Sequence, residues 1–362
     1  MIPILWSVLH FACSPTEIST SSDSVDGTVE TEALETVEVR EDTPKNHRNK
    51  ASILAYFDTL VENNHVLVGQ HCGDGADATA AYFNDFVDVL ADETGRHVGL
   101  VGADFGFFPS NNYPVQTLID HWNEGGLVTV SWHVDNPFVN GYDVYWNSVE
   151  NKNRINFKAL LKDGGYTQAW INYRTELDKV AGALQKLRDA GVTVVWRPFH
   201  EMNGDFFWWG INEYNNQQTN QDDFKQLWID LYNTLKFDYG LDNLIWTYSV
   251  IPYVDWNAHV TAFYPGSDYV DLVGLDYYGV APDFPDYEAL EFLGKTVVMS
   301  ESGPLDSGYG QWNMMDLVAT LKGKAAYFLQ WHSWSGAAVA IIDNKNSIEM
   351  MNSTEAITRD EL

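Results

Sequence analysis

Two glutamates close strand-like runs a hundred positions apart, and their placement points to acid–base chemistry. The first run, Val192-Thr193-Val194-Val195-Trp196-Arg197-Pro198-Phe199-His200-Glu201, is apolar and β-branched until Pro198 removes a backbone donor where pairing must stop. The second, Thr296-Val297-Val298-Met299-Ser300-Glu301, repeats the design. Residues at the carboxyl ends of parallel barrel strands share one face, so Glu201 and Glu301 are expected to meet at one cleft. Two carboxyls there can divide the work: one, kept protonated, donates to a leaving oxygen, while the other, ionised, attacks or activates water. That pair is the minimum equipment for breaking a glycosidic bond. The competing assignments are a strand-end ion pair between Glu201 and Arg197, and a capping role for Glu301.

The elements that must position these residues follow from hydrophobic period. A helix around Ile53 to Val61 precedes strand one, His65 to Gly69, which ends in Gln70-His71. Tyr82 to Leu90 form a helical face before strand two, Val98 to Ala103, ending at Asp104. Val115 to Trp122 give the next helix, and strand three, Leu127 to Ser131, delivers Trp132-His133 to the same rim. The polar and aromatic stretch Val134 to Asn153 lacks period and reads as a long loop walling the cleft. Leu177 to Leu187 form the helix before strand four, and Phe224 to Phe237 the helix after it. Strands five to eight are Leu244 to Tyr248, Val270 to Asp276, Lys295 to Ser300 and Ala325 to Gln330. Eight strand–helix alternations predict a single (β/α)₈ barrel over residues 46–362, with the glutamates at the ends of strands four and seven.

Polar or aromatic residues close nearly every predicted strand: His71, Asp104, His133, His200, Asp276 with Tyr278, and Trp331 with His332. No His-x-x-x-His or Cys-x-x-Cys spacing, Gly-x-Ser-x-Gly elbow, phosphate loop or dinucleotide fingerprint stands at a strand-to-helix turn, so no metal or cofactor is expected. Fourteen tryptophans and nineteen tyrosines are many for this length. Phe206-Phe207-Trp208-Trp209, Tyr277-Tyr278, Trp312, Trp331 and Trp334 fall on rim loops, and the first four have no obvious core to enter. Flat rings suit the apolar faces of pyranose sugars, and some of these residues would simply pack beneath the loops.

A net charge of −30, from 51 acidic against 21 basic residues, repels phosphate backbones and anionic lipid, so nucleic acid is not an expected partner. A neutral polymer is compatible with it. Ile2 to Ala12 are mostly apolar and lead to Cys13, so residues 1–13 read as an export signal with a lipid-modified cysteine, although no cation precedes the run and His10 stands where leucine is usual. Residues 14–45 are acidic and poor in large apolar groups, and read as a disordered linker. The expectation is an extracellular, periplasmic or surface-anchored monomer. Cys13 and Cys72 are the only cysteines and support no disulfide framework.

Arg197-Pro198-Phe199-His200-Glu201-Met202-Asn203-Gly204, with the trailing Trp208-Trp209-Gly210, resembles the acid/base segment of glycoside hydrolase family 26, chiefly endo-β-1,4-mannanases. Gly69-Gln70-His71, Trp132-His133 with Asn136-Pro137, Gly274 to Tyr278, Ser300-Glu301 and Gln330-Trp331 fall in the family's order from about residue 50 onward. The resemblance implies a (β/α)₈ barrel and a retaining double displacement on a neutral β-linked polysaccharide of mannan type. Glu201 would be the acid/base and Glu301 the nucleophile. Tyr278 would hydrogen-bond the nucleophile, and His71, His133, His200, Phe206, Trp209, Asp276 and Trp331 would line the sugar subsites. Phe206 stands where many members have tryptophan, and His332 where some mannanases have arginine. A β-glucanase, a β-xylanase or a non-catalytic glycan-binding barrel are the alternatives. Ile348 to Leu362 resembles the family's closing helix, so the terminal Arg-Asp-Glu-Leu is not read as a retention signal, nor Asn352-Ser353-Thr354 as a glycosylation site.

Overall fold

The computed structural model describes residues 48–107, 112–145, 155–211 and 221–362. Cys13, the export signal and the acidic linker lie outside the described residues, as do positions 146–153 of the loop expected after strand three.

Eight parallel strands close into a barrel: β1 (Val66–Asp74), β2 (Leu100–Asp104), β3 (Leu127–Trp132), β4 (Val194–Pro198), β5 (Leu244–Val250), β6 (Leu272–Gly279), β7 (Thr296–Pro304) and β8 (Tyr327–Gln330). Each pairs with the next, and β1 pairs with both β2 and β8, which completes the ring. β2, β3, β4, β5 and β8 are buried along their whole length. Strands covered on both faces need apolar residues at every position, which is why these segments read as continuous runs rather than alternations.

The helices in chain order are α1 (Lys50–Glu62), α2 (Ala76–Phe83), α3 (Val89–Thr94), α4 (Val115–Asn123), α5 (Gln168–Asp189), α6 (Gln221–Asn233), α7 (Tyr287–Glu291), α8 (Met314–Leu321) and α9 (Ser347–Met351). α5 shows how the sequence sets an element. Thr167 accepts from the Trp170 amide to start it, Leu177, Val180, Ala181, Leu184 and Leu187 bury one face, and Gly191 takes a left-handed conformation just past its end. Two expected helices are interrupted by single π-type turns, Asn84–Asp88 joining α2 to α3 and Thr234–Asp238 extending α6.

The closing helix expected over 348–362 is a correction. Only Ser347–Met351 is helical; the chain then forms a two-residue strand, β9 (Ala356–Ile357), beside the start of β1, and a 3₁₀ turn. Ala356 and Ile357 are buried against the barrel, and the Glu361 carboxylate caps the turn through the Thr358 amide. Arg359 and Glu361 also pair with Glu124 and Arg96, so the last residues are folded onto the body.

Candidate active site

Beyond Pro198 the chain makes a tight turn in which Phe199 and Glu201 both adopt positive φ, 49° and 57°, on either side of His200. Neither residue favours that region, and each such placement costs about 1–2 kcal/mol. The next residues of the motif meet this cost. Glu201 donates its amide to Ser249 O of β5 at 2.9 Å, and Asn203, fully buried, donates to the Ile251 carbonyl at 2.7 Å and accepts from its amide at 3.0 Å. Met202 fills the core, and a Cβ at Gly204 would stand 2.5 Å from the Phe206 ring. The His-Glu-Met-Asn-Gly segment is therefore a turn bolted to β5 that projects one carboxyl over the barrel mouth.

Glu301 is positioned differently. β6 and β7 run in register to Leu275 opposite Met299, then shift so that Asp276 faces Glu301. The extra residue in β7 is Ser300, whose hydroxyl bonds Asp276 Oδ1 at 2.7 Å and Ser249 Oγ at 2.5 Å. A Cβ on Gly274 would lie 2.2 Å from that hydroxyl, so glycine is required there. The fully buried Arg197 reaches across to Glu301 Oε1 at 2.6 Å and Asp276 Oδ2 at 3.3 Å, while the Tyr278 hydroxyl donates to Glu301 Oε2 at 2.9 Å. The ion pair weighed for Glu201 is thus formed by Glu301 instead; among the described residues Glu201 has no salt-bridge partner.

One oxygen from each of Glu201, Asp276 and Glu301 lies within 4.8 Å of the others. Burial drives the Glu201 carboxyl well above its ordinary value, and the negative charges of Glu301 and Asp276 push it further. Burial raises Glu301 as well, to about 8, with Asp276 adding to the rise, while Arg197 and Tyr278 pull it back toward the ionised form. Of the two, Glu301 gives up its proton first and Glu201 keeps one. Burial works against Arg197's charge, yet Glu301 and Asp276 outweigh it and hold the guanidinium protonated.

Two histidine pairs flank the carboxyls. His133 Nδ1 contacts Asp104 Oδ2 at 2.6 Å and its Nε2 lies 3.0 Å from His200 Nε2. His71 stacks on Trp331, ring centroids 3.6 Å apart, and shares a 2.8 Å Nδ1 to Nδ1 contact with His332. Burial depresses His71, His200 and His332, the last to about 4, so these rings are neutral at ordinary pH. Gln70 and Gln330, beside the rim histidine and tryptophan, are buried clamps: Gln70 accepts from the Ile341 amide, and Gln330 accepts from Ser302 and donates to the Val339 carbonyl.

The structure overturns the expectation that Phe207, Trp208 and Trp209 have no core to enter. All three are buried. Trp209 donates to the His200 carbonyl at 2.7 Å and stacks on Phe207 at 4.4 Å, and Trp208 donates to Val134 O at 2.8 Å. Trp209 therefore supports the Glu201 turn through the His200 carbonyl. Phe206 is only partly buried, Trp331 is partly exposed, Trp312 is buried and Trp334 is exposed. The loop after β3 does reach the site: Val144 O accepts the Trp208 amide, and Tyr145 bridges Phe207. Residues overlooked in the sequence are Arg197 as the anchor of Glu301, Ser249 and Ser300 beneath Asp276, and Asp74 at the end of β1, whose carboxyl burial, Asp104 and Glu301 all push upward. A charged residue inside an all-buried strand, as Arg197 is, was the readable signal that a buried carboxylate had to face it.

The family model described as glycosyl hydrolase family 26 matches residues 43–361. The chain belongs to this family. Among similar proteins, a mannan endo-1,4-beta-mannosidase A and B of Caldalkalibacillus mannanilyticus is 33% identical over 324 residues, 83% of this chain and 58% of that protein. A mannan endo-1,4-beta-mannosidase of Bacillus subtilis is 33% identical over 266 residues, 69% of this chain and 70% of that one. A solved Bacillus subtilis mannanase superposes with a TM-score of 0.72 at 28% identity, covering 88% of this chain and 96% of the other. This neighbour thus shares the fold of the chain over nearly its whole length.

Proposed function

We propose that this family 26 chain is an endo-acting, retaining β-mannanase that hydrolyses internal β-1,4-mannosidic bonds of mannan, glucomannan or galactomannan. The observation that carries the mechanism is the unequal setting of two neighbouring carboxyls: each Glu301 oxygen has its own donor, whereas Glu201 is buried without a cationic partner among the described residues. In the first step a Glu301 oxygen attacks the anomeric carbon while Glu201 gives its proton to the departing glycosidic oxygen. A glycosyl ester on Glu301 results. In the second step Glu201, now a base, takes a proton from water, the water oxygen attacks the same carbon, and Glu301 leaves. Retaining enzymes hold the pair about 5–5.5 Å apart and inverting ones about 6.5–9.5 Å, and the oxygens here lie within 4.8 Å.

The choice of mannan rests on the similar mannosidases and mannanases. Reducing-sugar release from mannan, lichenan and xylan, with the anomer of the first product followed by NMR, tests both parts. Faster release from lichenan or xylan would transfer the assignment to a glucanase or xylanase, binding without hydrolysis would favour a glycan-binding barrel, and an inverted first product would end the retaining mechanism. The same reading places the barrel outside the cytoplasm, held by lipid on Cys13 through the acidic residues 14–45. It is supported by the apolar run before that cysteine and the composition after it. Cys13→Ala should free the enzyme from membranes. A closed sheet without open barrel edges supports a monomer, which sedimentation would test.

A further inference from the structure

The segment that follows β5 carries its large apolar side chains on the outside. Tyr253, Val254 and Trp256 are 48%, 41% and 45% exposed, and no other segment among the described residues bares three such side chains within four positions. Apolar groups scattered singly over a surface are ordinary, but a cluster marks something that covers it. Trp256 has neither a hydrogen bond nor a ring contact among the described residues.

The backbone beneath these side chains is nonetheless tied down. Asn203 Oδ1 accepts from the Ile251 amide at 3.0 Å, and its Nδ2 donates to the Ile251 carbonyl at 2.7 Å. At the far end of the loop Nδ2 also donates to the Ala258 carbonyl at 3.2 Å, and the Asn203 carbonyl accepts the Ala258 amide at 3.1 Å. One residue of the Glu201 turn thus closes both ends of the loop. Inside it, Asn257 accepts from the Val254 amide at 2.9 Å and donates to the Pro252 carbonyl at 2.7 Å, and from outside Asp286 accepts the Tyr253 amide at 2.7 Å. Compact loops ordinarily gain order by packing their own side chains inward. Here polar clamps hold the backbone, and the rings face solvent.

The same ties fix where the loop lies. Phe206, partly buried on the Glu201 turn, and the Ile251 side chain both approach Gly204, where a Cβ would stand 2.5 Å from the first and 3.2 Å from the second. An apolar track leads from the Glu201 turn through Phe206 and Ile251 to Tyr253 and Trp256. Glu201 gives its proton to the departing oxygen, so the sugars attached to that oxygen lie on its side of the cleavage point.

We propose that Tyr253 and Trp256 form a stacking platform for the leaving-side sugars of the β-1,4-linked chain, beyond the bond that is cut. The proposal rests on the reading of this chain as a mannanase. An indole or phenol ring covers the apolar face of a pyranose and requires no charge on it. Asp255 and Asp286, with no lysine or arginine between Ile251 and Thr261, turn away anionic polymers. Because the loop is already ordered, stacking on it forfeits little entropy.

The test compares Trp256→Ala and Tyr253→Ala with the native chain on mannohexaose and on an aryl β-mannobioside, whose leaving side is a single aryl ring. Both side chains are exposed and the clamps are untouched, so the variants should melt with the native chain. For Trp256→Ala, kcat/KM on mannohexaose should fall about five- to tenfold, carried by KM, and change by less than about twofold on the aryl substrate. Trp256→Phe should recover most of the loss. Mannohexaose labelled with ¹⁸O at its reducing end should be cut nearer that end by the alanine variants, because fewer leaving-side sugars are held. Equal losses on both substrates, or cleavage displaced away from the label, would overturn the proposal. So would unchanged kinetics with altered sedimentation, which would make the patch a contact between copies. Normal turnover with unmoved constants removes the platform alone, whereas a chain that releases no sugar from mannan, lichenan or xylan overturns the mannanase reading and the platform with it.

Discussion

The two glutamates reach the same cleft by opposite means. Glu301 sits on a strand, and its carboxyl is held by side chains: a buried guanidinium on one oxygen, a phenol on the other, and a bulge at Ser300 that brings Asp276 alongside. Glu201 sits on a turn with two left-handed residues, and what holds it is backbone, through its own amide on Ser249 and the Asn203 clamp on Ile251. Donors and cations beside a carboxyl favour its ionised form, whereas backbone bonds fix the place of Glu201 and leave its affinity to burial and to the negative charges of Glu301 and Asp276. A nucleophile must be ionised and an acid must not. On the proposed roles, the difference in scaffolding orders the two protons, with that of Glu301 leaving before that of Glu201.

The largest effects should come from removing either carboxyl, and they should differ in kind. Glu301→Ala is expected to abolish turnover of mannan and of activated aryl mannosides alike, by about 10⁴-fold or more, because no ester can form. Glu201→Ala should lose mannan turnover by several orders of magnitude yet still be glycosylated by an aryl mannoside with a good leaving group. The ester should accumulate, and azide should restore release with retained configuration. Azide rescue of Glu301→Ala with an inverted product, and none for Glu201→Ala, would reverse the comparison.

Next comes Arg197→Met, which leaves Asp276 and Glu301 buried without their cation. Such a loss costs about 3–5 kcal/mol and should lower kcat about 10²–10³-fold. Burial already raises both carboxyls in the native chain, Glu301 to about 8, and losing the cation should raise them further. The unfolded values are common to both proteins, so the deficit should be flat at acid pH and grow as pH climbs past the native folded values, about 8 for Glu301. Denaturant melts that show the deficit constant from neutral to alkaline pH would contradict this.

Tyr278→Phe is expected to be milder, about 10–100-fold in kcat. The activity profile should be bell-shaped, its acid limb set by ionisation of Glu301 and its alkaline limb by loss of the raised Glu201 proton. Removing the phenol takes a donor from ionised Glu301, so the acid limb should move to higher pH while the alkaline limb stays. Movement of the alkaline limb alone would assign Tyr278 to the other carboxyl. The smallest effect is expected for Trp209→Phe, which keeps the ring on Phe207 and removes the donor to the His200 carbonyl. It should cost about 1 kcal/mol of stability and change kcat severalfold, by thermal melts and initial rates.

Much of this comparison was legible in the chain before folding, and the rest was not for physical reasons. The strands announced themselves because burial on both faces demands apolar β-branched runs, and Glu201, Glu301, Asp276 and the rim histidines stood at their ends. Arg197 was weighed as a partner for Glu201 alone, the alternative to a catalytic role there, because proximity in sequence hides its contact with Glu301 across the closed barrel. The positive φ of Phe199 and Glu201 carried no warning, since neither residue type marks such a turn. The Phe-Phe-Trp-Trp run has no helical or strand period, so nothing in it told that Trp209 would pack beneath His200. Asp104 showed a polar strand end but not the contacts with Ser131, Gly106 and His133 that its carboxyl makes.

The pairing of β1 with β8 has a consequence for synthesis. Leu67 to Gln70 lie beside Tyr327 to Gln330, so the first strand made must wait for the last. At about 5–20 residues per second a ribosome needs on the order of tens of seconds to bridge that gap. During that interval one side of the first strand has no barrel partner, and its carbonyls and amides can pair with a neighbouring nascent chain. Production of this chain should therefore be limited less by the stability of the finished barrel than by how crowded translation is, and slower initiation on each message should raise the soluble yield.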